Sequence, residues 1–369
     1  MKSFAKNFLP LFGFLSFMSC SHPQTGNYGE SSGGINSFIK DSYSDTLSMP
    51  VIYATDRQVS GDSVECNDQT FGVQMGEKTV YGRCEINVPK KHSVGLFEVS
   101  DNPRSDPHTY FRTLNHKAMT ESDLRAYIAA QKSSDILVFV HGFNVKFSEA
   151  VYRASQLAYD LKFQGPVILF TWPAGAGPGF LDSKLINRTY EANKAAAAAS
   201  IPQFAEFAKM LASLGPAVHL LVHSMGHQVV LPALSQVADQ IDHKFIGELI
   251  LNAPDFPVQD FASFAPKLEK LAQRITVYCS YNDNAIAASE TYNGGRRMGA
   301  CERVPGIDVI NVGEIDAPAM GVGGLGHGYY ASRPILTDVF QVLLRIDAEK
   351  RLFVRKSETN SPENYFLRP

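Results

Sequence analysis

The 369-residue chain has no strong excess of charge, since 34 Lys and Arg stand against 37 Asp and Glu for a formal net charge of −3. Without a basic field, neither a nucleic acid nor an anionic membrane surface is indicated as a partner. A good membrane span is also missing: the apolar run Phe8 to Met18 is short and holds Pro10 and Gly13. No cysteines form a CxxC pair or a zinc-like spacing. His223 and His227 have the spacing of a helical zinc site, but Ser224 stands where its glutamate belongs. No metal and no other cofactor is expected. What remains is ordinary globular composition, 44% hydrophobic and 19% charged, enough for one large α/β unit.

Lys2 and Lys6 precede the apolar run, which ends at Ser19-Cys20 before polar sequence. This reads as a secretory signal over residues 1–19. Cys20 after a small residue resembles a bacterial lipobox, whose cysteine is acylated. The expectation is an exported envelope lipoprotein, on the outer membrane or periplasmic face, anchored at Cys20. Plain cleavage by ordinary signal peptidase and an uncleaved anchor are the alternatives. Residues 20–46, rich in Ser, Gly, Asn and Asp, read as a flexible tether. Four cysteines remain, an even number in an oxidising compartment. Cys66–Cys84 and Cys279–Cys301 are the simplest of three pairings, against four buried thiols.

A β section opens at about residue 47, with strands at Pro50–Thr55 and Thr79–Val88, and extends to about residue 130. Residues 100–120 read as polar and turn-rich. From Asp135 strands and helices alternate. Strands fall at Ile136–Val140, Val167–Thr171, Val218–Val222, Glu248–Asn252, Arg274–Ser280 and Asp308–Val312. Helices fall at about 148–163, 190–214, 225–240 and 335–348. This rhythm predicts an α/β fold over 47–350, a mostly parallel sheet with helices on both faces. Residues 351–369 read as a C-terminal tail.

In such sheets chemistry gathers at the carboxyl ends of strands. The strand ending at Val222 runs into His223-Ser224-Met225-Gly226 and then a helix, the order of a nucleophile elbow. Gly226 supplies the small residue two positions after the serine. Val222 stands two before it, where a small residue is usual, and is expected to strain the elbow or shift it locally. The Met225 amide is one candidate oxyanion donor. The Gly142 turn after the first parallel strand offers the Phe143 or Asn144 amide as the second. A serine needs a base, and the base an orienting carboxylate, in the chain order Ser, acid, His. Asp283 follows the strand ending at Ser280, and His327 closes the Gly-rich loop 321–326. Asp255, after Asn252, is the rival acid; Asp308 and Asp316 are weaker, since neither directly follows a strand. The loop matches GxGxxG, but no helix follows directly and no further βαβ unit remains, so it fits a flexible loop presenting His327 better than a dinucleotide site. Trp172, the Pro173–Gly179 loop and Tyr329 are candidate walls of a substrate pocket, with Trp172 equally readable as a packed side chain.

Taken in order, Tyr53-Ala-Thr-Asp-Arg57, Tyr81-Gly-Arg83, Val88-Pro89, His141-Gly-Phe-Asn144, Thr171-Trp-Pro173, His223-Ser-Met-Gly226, Ser280-Tyr-Asn-Asp283 and His327-Gly-Tyr-Tyr330 resemble an uncharacterised bacterial α/β-hydrolase family of the esterase/lipase superfamily. The resemblance covers about residues 50–345. It implies Ser224, Asp283 and His327 as a triad. The chain departs from the family pattern at Val222 and near Asn193, where an acidic residue is common. A serine hydrolase acting on a small-molecule or lipid ester is the expected function. A non-catalytic surface module with the same fold, hinted at by Val222, and an acyltransferase or amidase acting on an envelope substrate are the rivals.

Overall fold

The computed structural model describes residues 47–175, 183–315 and 327–368, apart from positions 62, 101, 103, 132 and 134. The signal segment, Cys20, the tether, residues 176–179, Asp316 and the 321–326 loop lie outside the described residues.

Three strands come first, β1 (Leu47–Val59), β2 (Phe71–Val88) and β3 (Arg112–Met119), paired in antiparallel order. Helix α1 (Glu121–Ala129) opens on a capping box: the Thr120 hydroxyl accepts from the Asp123 amide while the Asp123 carboxylate accepts from the Thr120 amide. Alternation follows through β4 (Asp135–Val140), α2 (Phe147–Asp160), β5 (Val167–Thr171), α3 (Ser183–Ala212), β6 (Ala217–His223), α4 (Gly226–Val237) and β7 (Ile246–Asn252). It continues through α5 (Val258–Leu271), β8 (Ala272–Cys279), α6 (Asn284–Asn293), β9 (Asp308–Asn311) and α7 (Arg333–Leu343). Two short strands, β10 (Val354–Lys356) and β11 (Tyr365–Leu367), close the chain.

All eleven strands form one sheet in the order β10-β11-β9-β8-β7-β6-β4-β5-β1-β2-β3. From β11 to β1 every neighbouring pair is parallel. The N-terminal β section is therefore continuous with the rest, because β1 pairs directly with β5. Alternation along the strands sorts the core into two layers. Ile136, Val138 and Val140 of β4 join the cluster that contains Phe204 of α3, Leu234 of α4 and Phe261 of α5. Leu137 and Phe139 face the other way, with Phe147 and Leu157 of α2 and Val339 of α7. Helices thus cover both faces, as an apolar parallel sheet requires.

Four expectations change. Residues 112–119 form β3, an edge strand whose largely solvated side chains hid it among turns. Helices α5 and α6 occupy connections to which the sequence assigned no element. The segment 351–369 is no tail, because β11 extends the sheet beside β9; strands of three residues carry no readable period. The last long helix stops at Leu343, and Arg345 turns into left-handed backbone at φ 61°. Both disulfides are present: Cys66–Cys84 ties the 60–70 loop to β2, and Cys279–Cys301 ties the end of β8 to the turn after α6. Among the described residues, no helix is long and apolar enough to cross a membrane.

Candidate active site

Two residues, Ser224 and Met225, join the end of β6 to the start of α4, and the Ser224 backbone sits at φ 53°. A left-handed serine is strained, and neighbouring bonds hold it there. Its amide donates to the Asn252 carbonyl at 3.0 Å. Its carbonyl accepts from the His227 ring at 2.6 Å. Burial pulls the His227 pKa down to about 3, so the ring is neutral and donates through Nδ1. Val222 makes neither a bulge nor a slip. It keeps register with Val140 on one side and Leu251 on the other, and the one irregularity between β6 and β7 lies at Val218/His219.

The two glycines of the site are required by close approach. A Cβ on Gly142 would meet the Ser224 Cβ at 2.6 Å, and one on Gly226 would meet the His141 carbonyl at 2.5 Å. The elbow and the β4 loop are therefore packed backbone against backbone.

The sequence-predicted side chains converge. His327 Nε2 lies 2.6 Å from Ser224 Oγ, and His327 Nδ1 lies 2.7 Å from Asp283 Oδ2. A carboxylate only accepts, so Nδ1 carries the proton toward Asp283 and Nε2 is left to accept from the serine hydroxyl. Asp283 is itself the N-cap of α6: its Oδ1 accepts from the Ala285 and Ile286 amides, both at 3.1 Å. One oxygen is held by the helix start and the other is free for the imidazole. Asp255 does not share this position. Its carboxylate is buried among the Tyr190 hydroxyl, at 2.8 Å, the Ser289 hydroxyl, Gln228 and the Arg297 guanidinium, at 3.5 Å.

Of the three candidate oxyanion donors, the Asn144 amide is already committed, donating to Asn193 Oδ1 at 2.9 Å. The amides of Phe143 and Met225 have no acceptor among the described residues. Asn193 also accepts from the Gly175 amide and donates to the Gly175 and Thr189 carbonyls, which pins the β4 and β5 loops to α3. Arg57 does similar work from below. Fully buried, it donates to Thr171 Oγ1 and to the carbonyls of Gly72, Ala174 and Val145.

Trp172 and Tyr329 are not pocket walls. Trp172 is fully buried, donates from Nε1 to the His141 carbonyl at 3.0 Å and stacks on the His141 ring. Tyr329 is buried as well, its hydroxyl directed at the Tyr278 carbonyl. A cavity of about 870 Å³ opens onto Ser224 and His327 instead between Phe143, Tyr190, Tyr330 and the Gly95–Phe97 segment. Reading the sequence missed that segment and Arg153, and it named Arg57, Asn193, His223 and Tyr330 without giving them a part in the site. His223 packs 3.9 Å from the Tyr330 ring, and its Nε2 lies 3.3 Å from the His327 carbonyl, beside the base. Burial first, and then the neighbouring His327, hold its pKa well below the ordinary imidazole value.

Comparison with known proteins agrees with this architecture. The model of a family described as alpha/beta hydrolase of unknown function (DUF900) matches residues 116–345. No curated protein matches. A solved structure from a study of two fungal esterases of Rhizomucor miehei is similar at 15% identity, covering 86% of this chain and 89% of that one. Its TM-score is 0.32.

Proposed function

Because the chain belongs to the DUF900 family of α/β hydrolases, we propose that it is a serine esterase working through an acyl-enzyme. Ser224 is the nucleophile, His327 the general base and Asp283 the carboxylate that orients the ring and stabilises its charged form. The ester carbonyl is attacked by Ser224 Oγ while His327 Nε2 takes the proton. The amides of Met225 and Phe143 receive the oxyanion, a contribution worth about 10²–10³-fold for a single donor. His327 returns its proton to the leaving alcohol, and a water deprotonated by the same ring then releases the acid. The observation that carries this reading is the unbroken chain from Ser224 Oγ to His327 to Asp283, at 2.6 and 2.7 Å, on an elbow held at φ 53°. The regular register of Val222 supports this reading over a non-catalytic module.

Purified protein lacking residues 1–19 is expected to cleave p-nitrophenyl butyrate. Ser224→Ala and His327→Ala should each lose about 10³-fold or more in kcat. Equal turnover by wild type and Ser224→Ala would remove the proposal. The disulfides support the further reading that the protein is exported; acylation of Cys20, which would hold it on the cell envelope, is proposed from Cys20 following Ser19 at the end of the apolar run. Full-length protein should then partition into detergent, and Cys20→Ser should move to the aqueous phase.

A further inference from the structure

The cavity beside Ser224 is walled mostly by apolar and aromatic side chains, with one guanidinium in its lining, that of Arg153 on α2. Its carbon lies 3.8 Å over the Phe97 ring and 5.8 Å from the Tyr330 ring. Stacking of this kind holds the guanidinium plane in place while leaving its edge free for hydrogen bonds. Of its five N–H donors, one is used among the described residues: Nη1 donates to Gln156 Oε1 at 2.7 Å. No carboxylate lies within ion-pair distance of it among those residues. Glu149, one helical turn earlier, lines the same cavity. Burial raises its pKa while the Arg153 charge lowers it, and no ion pair joins the two side chains among the described residues.

The orientation of Arg153 is built from behind. Gln156 is fully buried, and its Nε2 donates to Asp160 Oδ2 at 2.5 Å, which leaves Oε1 to face Arg153. The same Asp160 oxygen accepts from the Gly95 amide, and its other oxygen meets His92 Nε2 at 2.8 Å. His92 Nδ1 continues the chain to Glu98 at 2.7 Å. The network that aims Arg153 therefore also docks the Gly95–Phe97 wall. Three of these side chains, Gln156, Asp160 and His92, are buried and satisfy one another, which makes the support rigid.

We infer that the cavity takes an ester that carries a second, oxyanionic group, a carboxylate or a phosphate, and that this group docks on the Arg153 fork between Phe97 and Tyr330. The inference rests on the esterase reading for the reaction but not for the binding, since a planar guanidinium pairs with either anion whether or not Ser224 reacts. The aromatic and aliphatic lining between Arg153 and the serine holds the carbon chain linking the two groups.

Calorimetry on Ser224→Ala tests the binding without turnover. Glutarate or butyl phosphate should bind, and whichever does identifies the anion; the neutral glutaramide should not. Adding Arg153→Met, or Arg153→Gln if the first variant is unfolded by circular dichroism, should weaken anion binding about ten-fold or more. Equal binding of the anions and glutaramide, or affinity unchanged by either substitution, would overturn the inference. Turnover separates the two readings. Wild type should favour the p-nitrophenyl monoester of glutaric acid over p-nitrophenyl butyrate, and Arg153→Met should erase that preference. Cleavage of both at one rate leaves the esterase standing and the anion site refuted. Anion binding lost with Arg153 but no cleavage of either ester does the reverse.

Discussion

On one side of Ser224, Asp283 and His327 depend on each other: each ring nitrogen has one side-chain partner. On the other side, the Gly142–Val145 loop is tied from all directions. Arg57 takes the Val145 carbonyl, Asn193 the Asn144 amide, and Trp172 the His141 carbonyl. The rings of His141 and His227 are buried there, each with its pKa drawn down to about 3, first of all by desolvation. One half must change protonation and charge during a reaction; the other must stay still and neutral while it does. Substitutions in the two halves should therefore fail differently, in chemistry on the first and in positioning or stability on the second.

The largest expected effect lies in the first half. Asp283→Asn keeps a good N-cap for α6 but hands the wrong partner to Nδ1, so kcat should fall by about 10⁴-fold with little change in Tm. Asp255→Asn is the contrasting substitution. It leaves the buried Arg297 charge without its carboxylate, costing about 3 kcal/mol of stability, while kcat per folded molecule stays within about ten-fold. Ester kinetics and thermal melts on both variants check the pair, and a reversed outcome would exchange the roles of the two acids.

Next comes Gly142→Ala. Its methyl group would push against the Ser224 Cβ, displacing the Phe143 amide, and kcat should drop by about 10²-fold with KM little altered. Asn193→Ala should cost less, about ten-fold in kcat, because Arg57 and Trp172 still hold the loop when Asn144 is released. A fall in Asn193→Ala as deep as that of Gly142→Ala would mean the loop is hung from one bond.

The smallest signal is the pH dependence of stability. An unfolded histidine takes up a proton near 6.5, whereas His227 in the fold does so only at about 3. Between those values the unfolded state binds more protons, so this ring's contribution to stability falls as pH falls from 6.5 toward 3. Asp56 and Glu248, pushed up to about 6 and about 7 chiefly by burial, run with the opposite sign over part of that window. The test is accordingly a difference. Stability of wild type relative to His227→Gln should decline by roughly 1 kcal/mol from pH 6.5 to 5.5, measured by urea unfolding.

The first half of the site was legible in the sequence and the second half was not, for a physical reason. Ser224, Asp283 and His327 each follow a strand or close a loop in an order that chain connectivity imposes. Rules of order are readable in one dimension. The support of the Gly142 loop comes from Arg57 and Asn193, which meet it across more than forty intervening residues, and nothing in either local pattern states what its side chain will touch. Trp172 shows the cost of judging by residue type: a lone aromatic beside a Gly/Pro loop suggested a pocket wall, yet its indole N–H is a strut for His141. The pocket wall came instead from Gly95–Phe97, in a stretch with no periodicity to mark it. For the fold, the apolar central strands announced themselves, while β3 at the solvated edge and the three-residue β10 and β11 did not.

An esterase of this kind requires Ser224 to be the activated hydroxyl. Treating folded wild type with a fluorophosphonate and mapping the adduct by peptide mass spectrometry asks this directly. One adduct on Ser224, absent from Ser224→Ala and strongly slowed in Asp283→Asn, is the expected result. Folded protein that stays unlabelled, or carries the adduct on another residue, would contradict it.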